Sequence, residues 1–322
     1  MKQLTIYQKS LQETLNRLID NDYILIGLPN HGNVGDSLIW QATLDILSHK
    51  CLHEFHYSDY KKPSIGDNVI IVIHGGGDFG DVWIEEQQLR HRVMEDFPNH
   101  KIVQLPQSVY FQDDTFLQKD IERFANHKGE ITICLRDQYS YDFITTHYKN
   151  CRAHLLPDMA FALQVKPCRA DHEKNVLLVK RHDKESPKSY DGLELADCDI
   201  SDWPTINEPL VSMKFAEFCS RLINKVGLIL HLREDYYLRL SQWVSRLLWH
   251  YIIKRQIIKS GVSFLSPYRV IYATRLHAGI LAYMLGKDVV LIDNPNHKLK
   301  NFYDTWFKDV SSVKLIELSE YL

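Results

Sequence analysis

The sequence predicts an α/β fold with two doubly wound parallel sheets facing a cleft, and three observations predict it. Short aliphatic runs alternate with stretches of helical length, which implies βαβ units. Those runs are apolar at nearly every position, as strands buried on both faces of a parallel sheet are. The pattern breaks once, at a short polar stretch over residues 165–174, and restarts in a second half of similar size. The break divides the chain into an N-terminal domain, 1–166, and a C-terminal domain, 167–322, with the last helix free to pack back on the first.

An amphipathic helix opens the chain over residues 1–20. Residues 23–26 (YILI) form the first strand, ending at Gly27, and 38–48 the next helix. Residues 68–73 (NVIIVI), 101–105 (KIVQL) and 131–135 (ITICL) are strands, with helices over 84–96 and 115–126 between them. In the second half, 175–179 (NVLLV) is a strand and 188–206 is an acidic loop with Asp191, Asp199 and Asp202. A helix over 215–224 precedes a strand over 226–230 (VGLIL). Residues 236–260 form one long helix rich in aromatics and arginine. Strands 270–273 and 288–292 flank a helix over 277–285.

At 322 residues, 45% apolar and 25% charged, the chain can bury a sizeable core. Its net charge of -3 argues against a basic nucleic-acid-binding surface. The six cysteines form no CxxC pair and no Cys/His cluster of zinc spacing, so no metal is expected, and a reducing, cytoplasmic compartment fits. The N-terminal helix lacks the apolar core of a signal peptide, and no apolar run approaches the roughly 20 residues that span a bilayer. The protein is expected to be soluble, or peripheral at the inner face of the membrane. Residues 243–259 (WVSRLLWHYIIKRQIIK) read first as a core-facing helix with a solvated basic side, and second as the stretch suited to that contact.

Ligands of parallel sheets bind at the carboxyl ends of the strands, and the unusual residues of this chain lie there. After the first strand comes Asn30-His31-Gly32-Asn33-Val34-Gly35-Asp36-Ser37, where Asp36 or Ser37 either caps the following helix or faces a ligand. After NVIIVI comes His74-Gly75-Gly76-Gly77-Asp78-Phe79-Gly80-Asp81. Four glycines in six positions suit close backbone approach to a phosphate or sugar, although no Walker lysine follows. Gln107 and Ser108 follow KIVQL, as ligand contacts or as a turn and cap. Arg136-Asp137 ends ITICL, as a surface pair or as a guanidinium fork aimed at an anion. Pro157-Asp158 reads as a helix start. Thr274-Arg275-Leu276-His277 joins a strand to a helix, so two cationic side chains share a positive helix N-terminus, and anion binding is expected there. His74, His91, His154, His182 and His231 show no metal spacing and are left as ordinary.

These segments in this order resemble the polysaccharide pyruvyltransferase family, of the exopolysaccharide ketal-pyruvate transferase type. The signatures are GNVGD at 32–36, GGGDFGD at 75–81, PQS at 106–108, Arg136-Asp137, Pro157-Asp158, Arg275-Leu276-His277, and a closing segment from Asp293-Asn294 through Lys298 to Trp306. The resemblance implies a Rossmann-like, GT-B-like fold, phosphoenolpyruvate as donor substrate with no cofactor or metal, and a saccharide or lipid-linked oligosaccharide as acceptor. It implies donor binding by Arg136, Arg275, Leu276 and His277. Asn33, Gly76, Gly77, Asp78, Gln107, Ser108 and Lys298 complete the expected substrate site. His277 is expected as phosphate ligand or proton donor, and Asp36, Asp78 or Asp81 as the group acting on acceptor hydroxyls. Where many relatives carry His-His-Gln after the GGGxxGDxW signature, this chain has Glu85-Glu86-Gln87. Two rival functions are a nucleotide-sugar glycosyltransferase and a scaffold that has lost donor binding.

Overall fold

In the computed structural model, which describes residues 2–168, 174–187, 190 and 197–318, every strand pairs parallel into one of two sheets. The first holds β1 (Tyr23–Leu28), β2 (Cys51–His56), β3 (Ile70–Ile73), β4 (Gly76–Gly80), β5 (Ile102–Tyr110), β6 (Ile131–Leu135) and β7 (Arg152–Leu155). Its order is β2-β1-β3-β5-β6-β7, with β4 pairing the far end of β5. Its helices are α1 (Lys2–Leu18), α2 (Val34–Ile46), α3 (Ile84–Asp96), α4 (Asp114–Ala125) and α5 (Gln138–His147), followed by a 3₁₀ turn at Met159–Ala162.

The second sheet holds β8 (Lys174–Val179), β9 (Cys198–Ser201), β10 (Tyr268–Ala273), β11 (Asp288–Ile292) and β12 (Val313–Ile316), in the order β12-β11-β10-β8-β9. Its helices are α6 (Pro204–Asn207), α7 (Val211–Ile229), α8 (Glu234–Leu248), α9 (Lys254–Leu265), α10 (Leu276–Met284) and α11 (Lys298–Phe302). A wide π turn at Trp249–Ile253 joins α8 to α9 without a break, and another at Tyr303–Phe307 extends α11. The six cysteines are free thiols.

Strand periodicity sorts the first sheet's side chains onto two cores. Tyr23, Leu25, Ile70 and Val72 face one side, and Ile24, Ile26, Ile71 and Ile73 the other. The first of these cores continues without interruption into the second sheet, through Leu177, Ile271 and Leu291. Phe161 lies at the join, fully buried among the rings of Tyr7, Tyr283, Phe302 and Phe307. The closing helix adds polar ties to the same place. The Trp306 indole donates to the Arg136 carbonyl at 2.8 Å, and the Tyr7 hydroxyl to the Trp306 carbonyl at 2.9 Å.

Several local expectations change. α2 starts at Val34 rather than 38, because Asn33 caps it by accepting the Gly35 amide at 3.0 Å. The cap is therefore neither Asp36 nor Ser37. The glycine-rich segment after β3 is not an open loop: residues 76–80 form β4. Likewise Pro106-Gln107-Ser108 stays within β5, where a register shift against β6 between Gln104 and Gln107 accommodates the proline. Residues 226–230 are not a strand but the end of α7, since a five-residue apolar run carries no period of its own. Gly227 there lets the Tyr237 ring of α8 come into contact, which fixes the run in a helical hairpin. The acidic stretch 188–206 contains β9 and α6, while Asp191 lies outside the described residues.

Phe161→Ala should lower stability by about 3–5 kcal/mol. Because the core is shared, urea unfolding followed by tryptophan fluorescence and circular dichroism should still give one coincident transition. Two separated transitions would contradict a shared core.

Candidate active site

Each sheet reverses its strand order once, between β1 and β3 and between β8 and β10. At such a reversal the flanking loops leave in opposite directions and open a crevice. A cavity of about 170 Å³ lies there, with walls from both sheets. His31, Asn33 and Asp36 follow β1, His74 to Asp78 follow β3, and Arg136 ends β6. Arg181, Asp183 and Glu185 follow β8, Arg275 to His277 follow β10, and Asn294 and Lys298 come from the segment after β11.

The centre is a buried cluster. Asp158 Oδ2 accepts from Arg136 Nη1 at 2.7 Å and lies 3.2 Å from His277 Nε2. Burial alone would raise the Asp158 carboxyl, but the charges of His277 and Arg136 outweigh it and hold it far below the usual carboxylate range. Arg136 Nε donates to Ser108 Oγ at 2.9 Å, and Ser108 in turn donates to Asp137 at 2.6 Å. The guanidinium is thereby fixed with Nη2 facing Gly77, where a Cβ would stand only 2.8 Å away. A Cβ at Gly35 would collide with the His277 ring. Both glycines clear space for these two side chains.

The other cations are held by carboxylates. Arg275 grips Asp202 through Nε at 2.5 Å and Nη2 at 2.7 Å, and reaches Asp183 at 3.2 Å. Thr274 ties the ends of the neighbouring strands β10 and β8: its hydroxyl donates to the Val179 carbonyl at 3.0 Å and accepts the Arg181 amide at 2.9 Å. This sets Arg181 beside Arg275, paired with Asp183 at 2.7 Å and Glu185 at 2.6 Å. Lys298 donates to Glu185 and to the Gly77 carbonyl. The walls thus carry four Lys/Arg side chains and five carboxylates.

Some polar atoms of the walls have no protein partner. They are both ring nitrogens of His74, Nδ2 of Asn294 and Nε1 of Trp203, all buried. Buried polar atoms are rarely left so, and these four belong to residues of one cavity wall. Burial pushes the His74 imidazole down to about 4, so it is neutral near pH 7.

The expected site residues divide. Asn33, Asp36, Gly76, Gly77, Asp78, Arg136, Arg275, Leu276, His277 and Lys298 all line the cavity. Asp78 is taken, however, by Arg90 at 2.5 Å and by Gln107. Burial would raise its carboxyl, and the Arg90 charge lowers it on balance. Gln107 and Ser108 stand behind the wall, bonded to Asp78 and to Arg136, rather than in it. Asp81 is not in the cavity: its carboxylate accepts the amides of Gln112 and Asp113 at 2.7 and 2.6 Å. Asp36 remains as the lining carboxylate among the expected catalytic residues, 3.6 Å from His31. Among the described residues no group of three His, Cys, Asp or Glu side chains is placed to hold a metal ion.

A family profile described as polysaccharide pyruvyl transferase matches residues 33–297. The chain belongs to that family. It is 29% identical to a putative pyruvyl transferase, EpsO, of Bacillus subtilis, over 96% of this chain and 94% of that protein. It is 27% identical to pyruvyl transferase 1 of Schizosaccharomyces pombe, over 88% of this chain and 69% of that protein. Its fold is similar to that of an uncharacterized Klebsiella pneumoniae protein, with a TM-score of 0.58 at 19% identity over 96% and 98% of the two chains. Membership makes the protein a transferase of the kind that adds pyruvate to polysaccharide.

Within this pyruvyl transferase, the sequence had pointed to about half of the cavity. Arg181, Asp183 and Glu185 follow β8 in a short mixed-charge segment with no motif of its own, and Asp202 sits in the acidic stretch 188–206 that reads as a plain loop. His74 was passed over because a lone histidine carries no spacing. The GGG that follows it was the available signal.

Glu185 gives a pH test. Burial raises its carboxyl, but Lys298 and Arg181 bring it down to about 2, below its ordinary value of 4.5. A carboxyl depressed in the folded state stabilises the fold above pH 4.5 and loses that contribution as pH falls toward 2. This amounts to about 3 kcal/mol. Urea unfolding of wild type and Glu185→Gln should therefore converge as pH falls from 5 to 2. A constant difference across that range would refute the depressed carboxyl.

Proposed function

We propose that this protein transfers the pyruvyl group of phosphoenolpyruvate to a sugar of a cytoplasmic saccharide or lipid-linked oligosaccharide precursor, forming a ketal. The cavity would be the cleft of a two-domain, GT-B-like arrangement. The observation that carries the reading is the Arg136 fork, with Nη2 open into a small cavity beside His277. About 170 Å³ suits a three-carbon phosphorylated acid and is small for a nucleotide sugar.

Arg136, Arg275, Arg181 and Lys298 take the donor's phosphate and carboxylate, and the neutral His74 offers a hydrogen bond to an uncharged or anionic oxygen. His277, linked to Asp158, gives a proton to the methylene carbon of the donor, and the adjacent carbon becomes oxocarbenium-like. A sugar hydroxyl adds to that carbon and gives its proton to Asp36. Phosphate leaves, taking the proton from Asp36, and a second hydroxyl closes the ring as its proton returns to His277. Arg275 and Lys298 are anchored by Asp202 and Glu185, so they supply charge from fixed positions without reorganising.

Incubation with phosphoenolpyruvate and an acceptor glycan should release inorganic phosphate, whereas UDP-sugars should release no UDP. The reverse result would overturn the donor assignment in favour of glycosyl transfer. Arg136→Lys keeps a cation near Asp158 but loses the open fork. It should cut kcat/KM by about 10²–10³ in protein that still shows a native circular dichroism spectrum.

Glu86 occupies the wall near the place where family relatives carry histidine. Burial raises its carboxyl, and the charge of Asp78 adds to the effect. A trianionic donor raises it further, so donor binding draws a proton onto Glu86. Affinity should fall as pH rises, with proton uptake visible in calorimetry across buffers of different ionisation enthalpy. Glu86→Gln should abolish the uptake, and persistent uptake would assign the proton elsewhere.

A further inference from the structure

Residues 243–259, the stretch that offered a membrane contact as its second reading, are largely committed to the protein itself. Arg246 pairs with Asp59 at 2.7 Å, His250 with Glu54 at 2.7 Å, and the buried Lys254 lies over the Trp40 ring. The unpartnered surface is the outer face of the hairpin of α7 and α8, which shares Trp243 with that stretch.

The apolar residues of α7 form an exposed stripe at helical spacing: Val211, Phe215, Phe218, Leu222 and Val226, each between 42 and 83% exposed. On α8, Tyr236, Leu240 and Trp243 form another, 50 to 62% exposed. Both stripes lie on one face. The two helices run antiparallel through a short turn and meet at Ala216 and Gly227 on one side and Tyr237 and Ser241 on the other. Residues 215 and 226 precede the first pair by one position, and 236 and 240 precede the second by one. In an antiparallel pair, equal offsets from the contact line fall on the same side. A contiguous face of this size on a soluble chain marks an interaction surface.

Its rim is basic. Lys214, Arg221, Lys225 and Arg239 each precede a stripe residue by one position, which sets them at the edge of the face, and all four are exposed. Residues 211–259 hold nine Lys/Arg and three Asp/Glu, in a chain with 38 basic and 41 acidic residues overall. Two copies stacked face to face would bring like rims together. An anionic lipid surface matches both the apolar face and the rim.

We infer that the α7–α8 hairpin docks the protein on an anionic bilayer surface, its apolar face in the headgroup boundary and its basic rim on the phosphates. No helix among the described residues is long and apolar enough to cross a membrane, so the contact lies along the surface. The hairpin roots in the cavity wall: Trp203 lines the cavity, and Thr205 of α6 donates its hydroxyl to the Gly32 carbonyl at 2.5 Å. Docking therefore holds the site close to saccharides displayed on lipid. The inference does not depend on the identity of the donor.

Flotation of the full chain tests it, using phosphatidylcholine vesicles with or without phosphatidylglycerol. Wild type should float with the anionic vesicles and not with the neutral ones. Leu222→Glu/Leu240→Glu and Arg221→Glu/Lys225→Glu should each weaken flotation by about tenfold or more, with unchanged circular dichroism and unchanged transfer to a soluble acceptor. Absence of wild-type flotation would overturn the proposal, as would undiminished flotation of the charge-reversed variant. A wild-type dimer that ignores vesicles and is split by Leu222→Glu/Leu240→Glu would assign the face to a second copy instead.

Discussion

Asp158 holds two side chains that arrive from different sheets, the Arg136 guanidinium from the end of β6 and the His277 ring from the start of α10. The carboxylate is fully buried, so it tolerates its charge only while both partners stay close. That requirement fixes the spacing of the two sheet ends, and other features follow from it. Ser108 is held inside β5 to orient Arg136, and the closing helix reaches back so that Trp306 secures the Arg136 carbonyl. Gly35 and Gly77 lack side chains because His277 and Arg136 need their space. The glycine signatures thus serve steric clearance as much as backbone approach to a ligand.

The second constraint is charge balance. Five carboxylates against four Lys/Arg side chains make a wall that positions its cations rigidly but leaves little net positive potential. Such a site recognises an anion through fixed forks and through the protonation of carboxyls that burial has already biased, Glu86 foremost. The same pairs that preorganise the site stabilise the fold near neutral pH, so acid weakens both together.

Much of the architecture was legible in the sequence because buried parallel strands are apolar at every position, and YILI, IIVI, ITICL and DVVLI all form strands as expected. The misreadings share a cause. VGLIL is equally apolar, yet a tertiary neighbour, Tyr237 against Gly227, made it helix. GGDFG and PQS looked like loops by composition, yet β5 and Arg90 hold them extended or in place. The helix 84–96 and the helix after Arg275 needed no partner to be read.

By itself the sequence determined the family, the strand-to-loop placement of the Arg136 and Arg275–His277 signatures, and the break between the two sheets, because these rest on local pattern and ordered motifs. Only the tertiary structure decided which signature residues meet. It put Asp81 on a distant pair of backbone amides, set Gln107 and Ser108 behind the wall, and brought His74, Arg181 and Glu185 into it. It also joined two stripes of α7 and α8 into one exposed face. These are relations between elements far apart in the chain, and distance in space is settled by packing, which no local pattern encodes.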